Sequence, residues 1–256
     1  MLSAIKVLQY IDVCNIMKIE IIGRVVYCVS KAEQKVNTTS TRRIVLDKSK
    51  IDDGKKCYNI CKRVQDIFVS VLSLLLLSPV LLIIALVVFF ECPSVSPIFV
   101  QDRVGKNGKL FKFYKFRSMV PDAEQKLDSL LSQNEMDGHA FKMKNDPRIT
   151  KVGRFLRKTS LDELPQLINV LKGDMSIVGP RPPLPREVKH YDEYELQRLY
   201  VTPGLTCYWQ TTANRNDMTF DEWLNMDLEY IEDRSFKTDW NIVLATFVAV
   251  IGMNGI

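Results

Sequence analysis

The longest apolar run in the chain is Ile67–Phe90, which contains no charged residue. At about 24 residues it is long enough to span a bilayer as a straight helix. Ser78 and Pro79 stand near its middle. A proline there deletes a helix hydrogen bond and bends the helix. In lipid the freed carbonyl needs a donor, and a nearby serine hydroxyl is one. Each arm, about a dozen residues, reaches about 18 Å, short of a hydrocarbon core of about 30 Å. Lys55, Lys56, Lys62 and Arg63 precede the run, and Arg103, Lys106, Lys109, Lys112, Lys115 and Arg117 follow it. Basic flanks favour the cytoplasmic side. A helix that dips in, breaks at Ser78-Pro79 and returns satisfies both flanks. A kinked spanning helix satisfies the length equally, and a buried soluble helix is the third reading.

Elsewhere the pattern is that of a water-soluble domain. Ile98–Val100 and Leu110–Phe116 read as strands around the turn Gly105-Lys106-Asn107-Gly108, a hairpin. Pro121–Glu135 predicts an amphipathic helix with proline at its start. Ser160-Leu161-Asp162-Glu163 opens another, with Leu164, Leu167, Ile168 and Leu171 on one face and Gly173 closing it. Arg186–Tyr200 and Phe220–Asp233 read as further helices. Trp240–Met253 is apolar, and either lies at a membrane interface or packs in the core. Ahead of all this, Ile19–Val29 suggests a strand or two, and the polar stretch Val36–Asp53 suggests a linker.

Composition narrows the picture by exclusion. The formal charge of +5 over 256 residues is too small to argue for nucleic acid. Six cysteines and two histidines do not form a zinc pattern, so the cysteines read as free thiols. Charged residues interrupt Met1–Ser30, so the start does not read as a secretory signal. No glycine-rich phosphate loop occurs.

The densest chemistry lies between Arg154 and Arg181. Arg154, Arg157 and Lys158 precede Asp162 and Glu163, and Gly179-Pro180-Arg181-Pro182-Pro183 forms a rigid turn presenting Arg181. Alternating cations and carboxylates at a helix start suit a diphosphate with a divalent metal. A carboxylate can also attack phosphorus. Taken by itself, the pattern reads more readily as a helix cap with surface ion pairs.

With these blocks in view, the chain from about Lys62 onward resembles the bacterial sugar transferases of the monotopic phosphoglycosyl transferase type, in their short form. The resemblance runs through Lys62-Arg63 with Asp66, Ser78-Pro79, Gln101 to Gly105, Lys115 to Met119 and Asn145 to Thr150. It continues through Thr159 to Leu167, Lys172 to Pro182, Pro203 to Thr206 with Trp209-Gln210, and Asn214 to Asp217. Cys207-Tyr208 and Ala213 depart from the usual family residues and bear on nucleotide contacts and sugar choice.

The resemblance implies an α/β fold, mostly helical with a small β-hairpin. It implies an extension of no assigned role (1–61), a re-entrant membrane helix broken at Ser78-Pro79 (62–92), and a catalytic domain with a C-terminal interfacial helix (93–256). It implies transfer of a sugar phosphate from a UDP-sugar to polyprenyl phosphate with release of UMP, at the cytoplasmic face of the bacterial inner membrane. Asp162 would be the covalent nucleophile and the ligand of a Mg2+ cofactor. Glu163 would position or deprotonate the lipid phosphate. Lys115, Arg117, Arg157, Arg181 and Arg215 would hold phosphate and nucleotide groups. Membrane lipid is a partner, nucleic acid is not, and an oligomer is left open. The non-enzymatic rival is a membrane scaffold gripping anionic lipid, for which Asp162 is dispensable. A glycosidase is disfavoured, because adjacent carboxylates do not flank one glycosidic bond.

Overall fold

The computed structural model describes residues 43–251 apart from 136, 140, 144 and 213–217; the strand expected at Ile19–Val29 lies outside them. The described chain is mostly helical with two two-stranded sheets. It opens with helix α1 (Lys48–Asp53), capped by the Asp47 carboxylate accepting from Ser49 N. The described part of the expected linker is therefore not a free tether. Ile44 and Ile51 are buried in the main core, where short apolar residues in a polar stretch suffice to anchor it.

Helix α2 (Lys56–Glu91) follows. The helix expected to break at Ser78-Pro79 is instead continuous, with Pro79 inside it. Pro79 has no N–H to offer the carbonyl of Leu75 four residues back. The Ser78 hydroxyl donates to that carbonyl at 2.8 Å, so the vacancy is filled locally. Among the described residues α2 is the one helix long and apolar enough to cross a membrane.

Both ends of α2 dock on the same globular body. Near the start, Tyr58 and Lys62 donate to Asp239 Oδ2 at 2.8 and 2.6 Å. Arg63 donates to the carbonyls of Val170 and Leu171, and buried Asp66 accepts from Ile177 N at 3.0 Å. Near the end, Ile84 and Val88 pack with Phe116 and Leu156, burial worth about 1.5–3 kcal/mol per side chain. Glu91 Oε1 accepts from Val152 N at 3.1 Å.

Strands β1 (Ile98–Val104) and β2 (Leu110–Phe116) pair antiparallel, Ile98 opposite Phe116 and Val104 opposite Leu110. The hairpin is as expected, with β1 extended by four residues. Asn107 and Gly108 take the positive φ values of 55° and 80° that its turn needs. The helix expected over Pro121–Glu135 shrinks to α3 (Leu127–Leu130) and a 3-10 turn at Leu131–Gln133. Arg148 Nη1 takes the carbonyl of Ala123 at 3.2 Å, and Leu127 N turns to Glu124 O instead.

Helix α4 (Lys151–Lys158) is capped by Thr150 Oγ1 accepting from Gly153 N. Ser160 then adopts φ 56°, and Leu161–Glu163 form a 3-10 turn before α5 (Gln166–Lys172). Asp162 and Glu163 thus sit in the elbow between two helices, not on the first turn of a regular helix. Gly173 ends α5 at φ 89°, as expected.

Strand β3 (Ser176–Val178) comes next. The helix expected over Arg186–Tyr200 is divided into α6 (Pro185–Val188), α7 (Glu193–Leu196) and a 3-10 turn, Gln197–Tyr200. Asp192 starts the second piece by a reciprocal cap with Glu195. Strand β4 (Gly204–Thr206) pairs parallel with β3. Helix α8 (Phe220–Asp233), capped by Thr219 and Glu222, has the expected bounds. Helix α9 (Phe236–Ile251) covers the apolar C-terminal stretch. It combines the two readings of that stretch: Asp239, Ile242 and Ala245 are buried, while Trp240, Leu244, Phe247 and Val248 are exposed.

Candidate active site

A cavity of about 840 Å³ opens between the hairpin, the 118–148 segment and the turn after β3. Among the described residues, ten cationic and five anionic side chains line it, beside an aromatic wall that includes Phe141, Tyr191, Trp209 and Trp223. Such an excess of cations in a concave site fits a multiply charged anion with an attached organic group.

Each cation is placed by a specific local device. Lys115 and Arg117 lie on and just past β2, their heads over the Phe99 ring at 5.3 and 5.6 Å. Arg117 Nε also donates to Ser96 O at 2.9 Å. Arg157 rides on the last turn of α4 and donates from Nε to Ser118 Oγ at 3.0 Å. That helix can come so close to the 118 backbone only because residue 153 is glycine: a Cβ there would lie 2.0 Å from Ser118 O. Arg181 stands in the turn after β3. Gly179 N donates to Thr206 O, and Gly204 N to Pro180 O, each at 2.9 Å. A Cβ on Gly204 would fall 2.0 Å from Gly179 N, so the parallel pair closes only with glycine at that point.

These charges strain against one another. Burial, then the neighbouring Arg157 and Arg103, pull Lys115 down to about 7. Burial and Arg181 pull Arg103 down to about 9. Burial also lowers Arg157. Asp162 is pushed up by burial, against the pull of Lys115, Arg157 and Arg181. The nearby carboxylates of Asp162, Asp146, Glu163 and Glu187 do not restore these cations to their ordinary values, and an incoming diphosphate would relieve them.

Lys115, Arg117, Arg157 and Arg181 therefore meet in one cavity. Asp162 lies within electrostatic reach of three of them. It is only 7% exposed, and neither it nor Glu163 is on the cavity lining. Arg215 falls outside the described residues.

A family model described as bacterial sugar transferase matches residues 57–253. The chain belongs to this family. It is 46% identical over 202 residues to the galactosyl transferase CpsE of Streptococcus agalactiae, covering 77% of this chain and 43% of that protein. It is 41% identical over 209 residues to the undecaprenyl-phosphate galactose phosphotransferase of Salmonella typhimurium, covering 79% and 43% respectively. It is 41% identical over 196 residues to the exopolysaccharide production protein ExoY of Rhizobium meliloti, covering 75% of this chain and 85% of ExoY. The matched region thus spans about two fifths of the first two relatives and most of the third.

In this member of the family, three further features of the site escaped the sequence reading. Arg103 is buried against the Phe113 ring and lines the cavity. Asp146 and Arg148 form a buried bidentate pair on its wall. Arg198, buried beneath Trp223, forms part of the lining. Arg103, Asp146 and Arg148 stood within matched blocks, which was a usable signal. Arg198 carried none. Among the described residues no group of three His, Cys, Asp or Glu side chains converges. Asp162 is a single carboxylate among cations, which fits an ion held largely by substrate phosphates and not an all-protein site.

Proposed function

We propose that this protein transfers a sugar phosphate from a UDP-sugar to polyprenyl phosphate, releasing UMP, at the cytoplasmic face of the bacterial inner membrane. The observation that carries the reading is that Lys115, Arg157 and Arg181 line one aromatic-walled cavity and all three act electrostatically on the buried Asp162 carboxylate behind it. The Salmonella relative, an undecaprenyl-phosphate galactose phosphotransferase, supports it. The cations take the diphosphate and the aromatic wall takes the nucleoside. Once Lys115 and Arg157 turn to the diphosphate, the Asp162 carboxylate is released to it. An Asp162 oxygen bonds to the β-phosphorus as the bond to the UMP oxygen breaks. A phosphate oxygen of the lipid then attacks the same phosphorus, and the Asp162 carboxylate leaves. Phosphoryl transfer depends mainly on alignment and charge neutralisation, which this site supplies. Glu163 positions the lipid phosphate. Asp162 and the substrate phosphates would hold a magnesium ion, which adds positive charge where the transfer needs it.

Membrane attachment follows from α2 and α9. Their outer faces expose Phe68, Leu75, Leu76, Ile83 and Phe90 on one, and Trp240, Phe247 and Val248 on the other. Apolar area of this extent is costly in water. With both ends of α2 docked on one body, we read the helix as bending at Pro79, so that it enters and leaves the same leaflet.

The test is a quench-flow assay with UDP-sugar alone. A UMP burst limited by the amount of enzyme is expected, with a phosphosugar mass on the Asp162 peptide. Asp162→Asn should remove both, since a neutral amide is a poor nucleophile. UMP that forms only when both substrates are present, with no trappable adduct, would rule out the covalent step. No UMP under any condition would leave the scaffold as the better reading.

A further inference from the structure

The Gly179–Pro183 turn that presents Arg181 has proline at 180, 182 and 183, so three of its five residues donate no N–H. Its carbonyls are held from outside, one after another. Pro180 O accepts from Gly204 N at 2.9 Å and Pro183 O from Val104 N at 3.0 Å. Pro182 O accepts from Arg103 Nη1 at 3.0 Å. Arg181 O accepts from Arg198 Nη2 at 3.4 Å. The Arg198 guanidinium is fixed in turn by the Asp227 carboxylate on α8 and by Tyr191 Oη at 3.0 Å. Arg198 and Asp227 are 3% and 0% exposed.

A buried ion pair is a poor way to gain stability, because apolar side chains of the same volume commonly do as well or better. The position of this one suggests another use. It bridges α8 to the peptide carbonyl of the residue whose side chain enters the cavity. We infer that Arg198 and Asp227 are positioning residues for Arg181, fixing its backbone so that its guanidinium meets the substrate diphosphate without reorganising. The inference deepens the proposed reaction and rests on it for the identity of the anion. Arg198 also lines the cavity, so a direct contact with the anion is the competing account, and the test must separate the two.

The probe is inorganic pyrophosphate, titrated calorimetrically into the full chain in detergent, so that the readout does not depend on turnover. Arg181→Ala should weaken binding about tenfold or more, the usual size for losing a charge-assisted contact. The double variant Arg198→Met with Asp227→Leu removes the pair without orphaning a charge, and should weaken binding to a similar degree. The decisive measurement combines them. If Arg198 acts through Arg181, the triple variant binds within about threefold of Arg181→Ala alone. If Arg198 touches the anion itself, the two losses multiply and the inference is overturned. Should the double variant fail to fold, Arg198→Lys serves in its place. It keeps a charge beside Asp227 but cannot reach two further acceptors, so it should weaken binding in the parent and be silent beside Arg181→Ala. Parent-like affinity in a folded double variant, or in Arg198→Lys, also overturns the inference. Pyrophosphate binding with these couplings but without UMP release would sink the transfer reaction and leave the positioning role standing.

Discussion

At the residue scale the most informative side chain is Lys115. Its ammonium loses its proton near pH 7 in the folded chain, against an ordinary value of 10.5, through burial and then Arg157 and Arg103. Below pH 7 the lysine is charged in both folded and unfolded chains, and the cost of burying that charge is fully present. Between about 7 and 10.5 the unfolded chain holds more protons, so stability rises with pH across that window. Lys115→Met should therefore raise the melting temperature at pH 6 and raise it less at pH 9. The same substitution should weaken pyrophosphate binding at pH 6. In the parent, binding above pH 7 should take up close to one proton, measured by calorimetry in buffers of different ionisation enthalpy. An equal melting shift at both pH values, with no proton uptake, would show that Lys115 is not the strained cation. The motif Lys115-Phe116-Arg117 made this residue legible in the sequence. Arg198 was not, because its role arises from contacts with Arg181 and with Asp227, 29 positions away, and nothing local marks it.

At the element scale the close approach of α4 to the 118 backbone sets the place of Arg157 in the cavity lining. Thr150 N donates to Ser118 O at 3.1 Å, and Arg157, one turn beyond Gly153, donates to Ser118 Oγ. Gly153→Ala would put a methyl 2.0 Å from Ser118 O, so the helix must move outward. A loss of about 1–3 kcal/mol in stability is expected from overpacking of this kind, together with a larger loss of turnover than the stability change explains. Denaturant unfolding beside steady-state rates at low temperature checks it, and unchanged turnover would mean that Arg157 tolerates displacement. Elements with complete local signals were legible in the sequence. The hairpin has its turn glycines, and α8 has its Thr219–Glu222 cap. The helices expected at Pro121–Glu135 and Arg186–Tyr200 were overcalled. In the first a distant arginine, Arg148, captures a ladder carbonyl. In the second the Asp192–Glu195 cap starts a new helix inside an amphipathic pattern. The three-residue strands β3 and β4 are too short to show a period. The acidic elbow at Leu161–Glu163 looked like a helix start because the sequence does not reveal the left-handed Ser160 before it.

At the scale of the whole molecule, α2 decides how the protein meets a membrane. Thirty-six residues of helix are about 54 Å long at 1.5 Å per residue, more than a bilayer core requires. Length alone would let α2 span. The docking contacts argue otherwise. Lys62, Arg63 and Asp66 tie its first half to α9, α5 and β3, while Ile84, Val88 and Glu91 tie its last turns to the hairpin and α4. Separating either half onto the far side of a bilayer would leave Asp66 or Glu91 without its backbone donor and expose the apolar surface these contacts cover. The chain supplies its own reporters: Cys57 and Cys61 are exposed near one end, and Cys92 is half-buried just past the other. In variants retaining one of these cysteines at a time, a membrane-impermeant maleimide should label Cys57 and Cys61 in inverted vesicles and spare them in intact spheroplasts. Cys92 should show the same sidedness at a slower rate, because it is half-buried. Labelling of Cys92 from the periplasm while Cys61 reacts only from the cytoplasm would mean that α2 spans, and the docked arrangement of its second half would have to be abandoned. Ser78→Ala sharpens the test, since it removes the donor from the Leu75 carbonyl that Pro79 leaves without a partner. That carbonyl then needs water, so the variant should be destabilised in detergent without any change in which side the cysteines face.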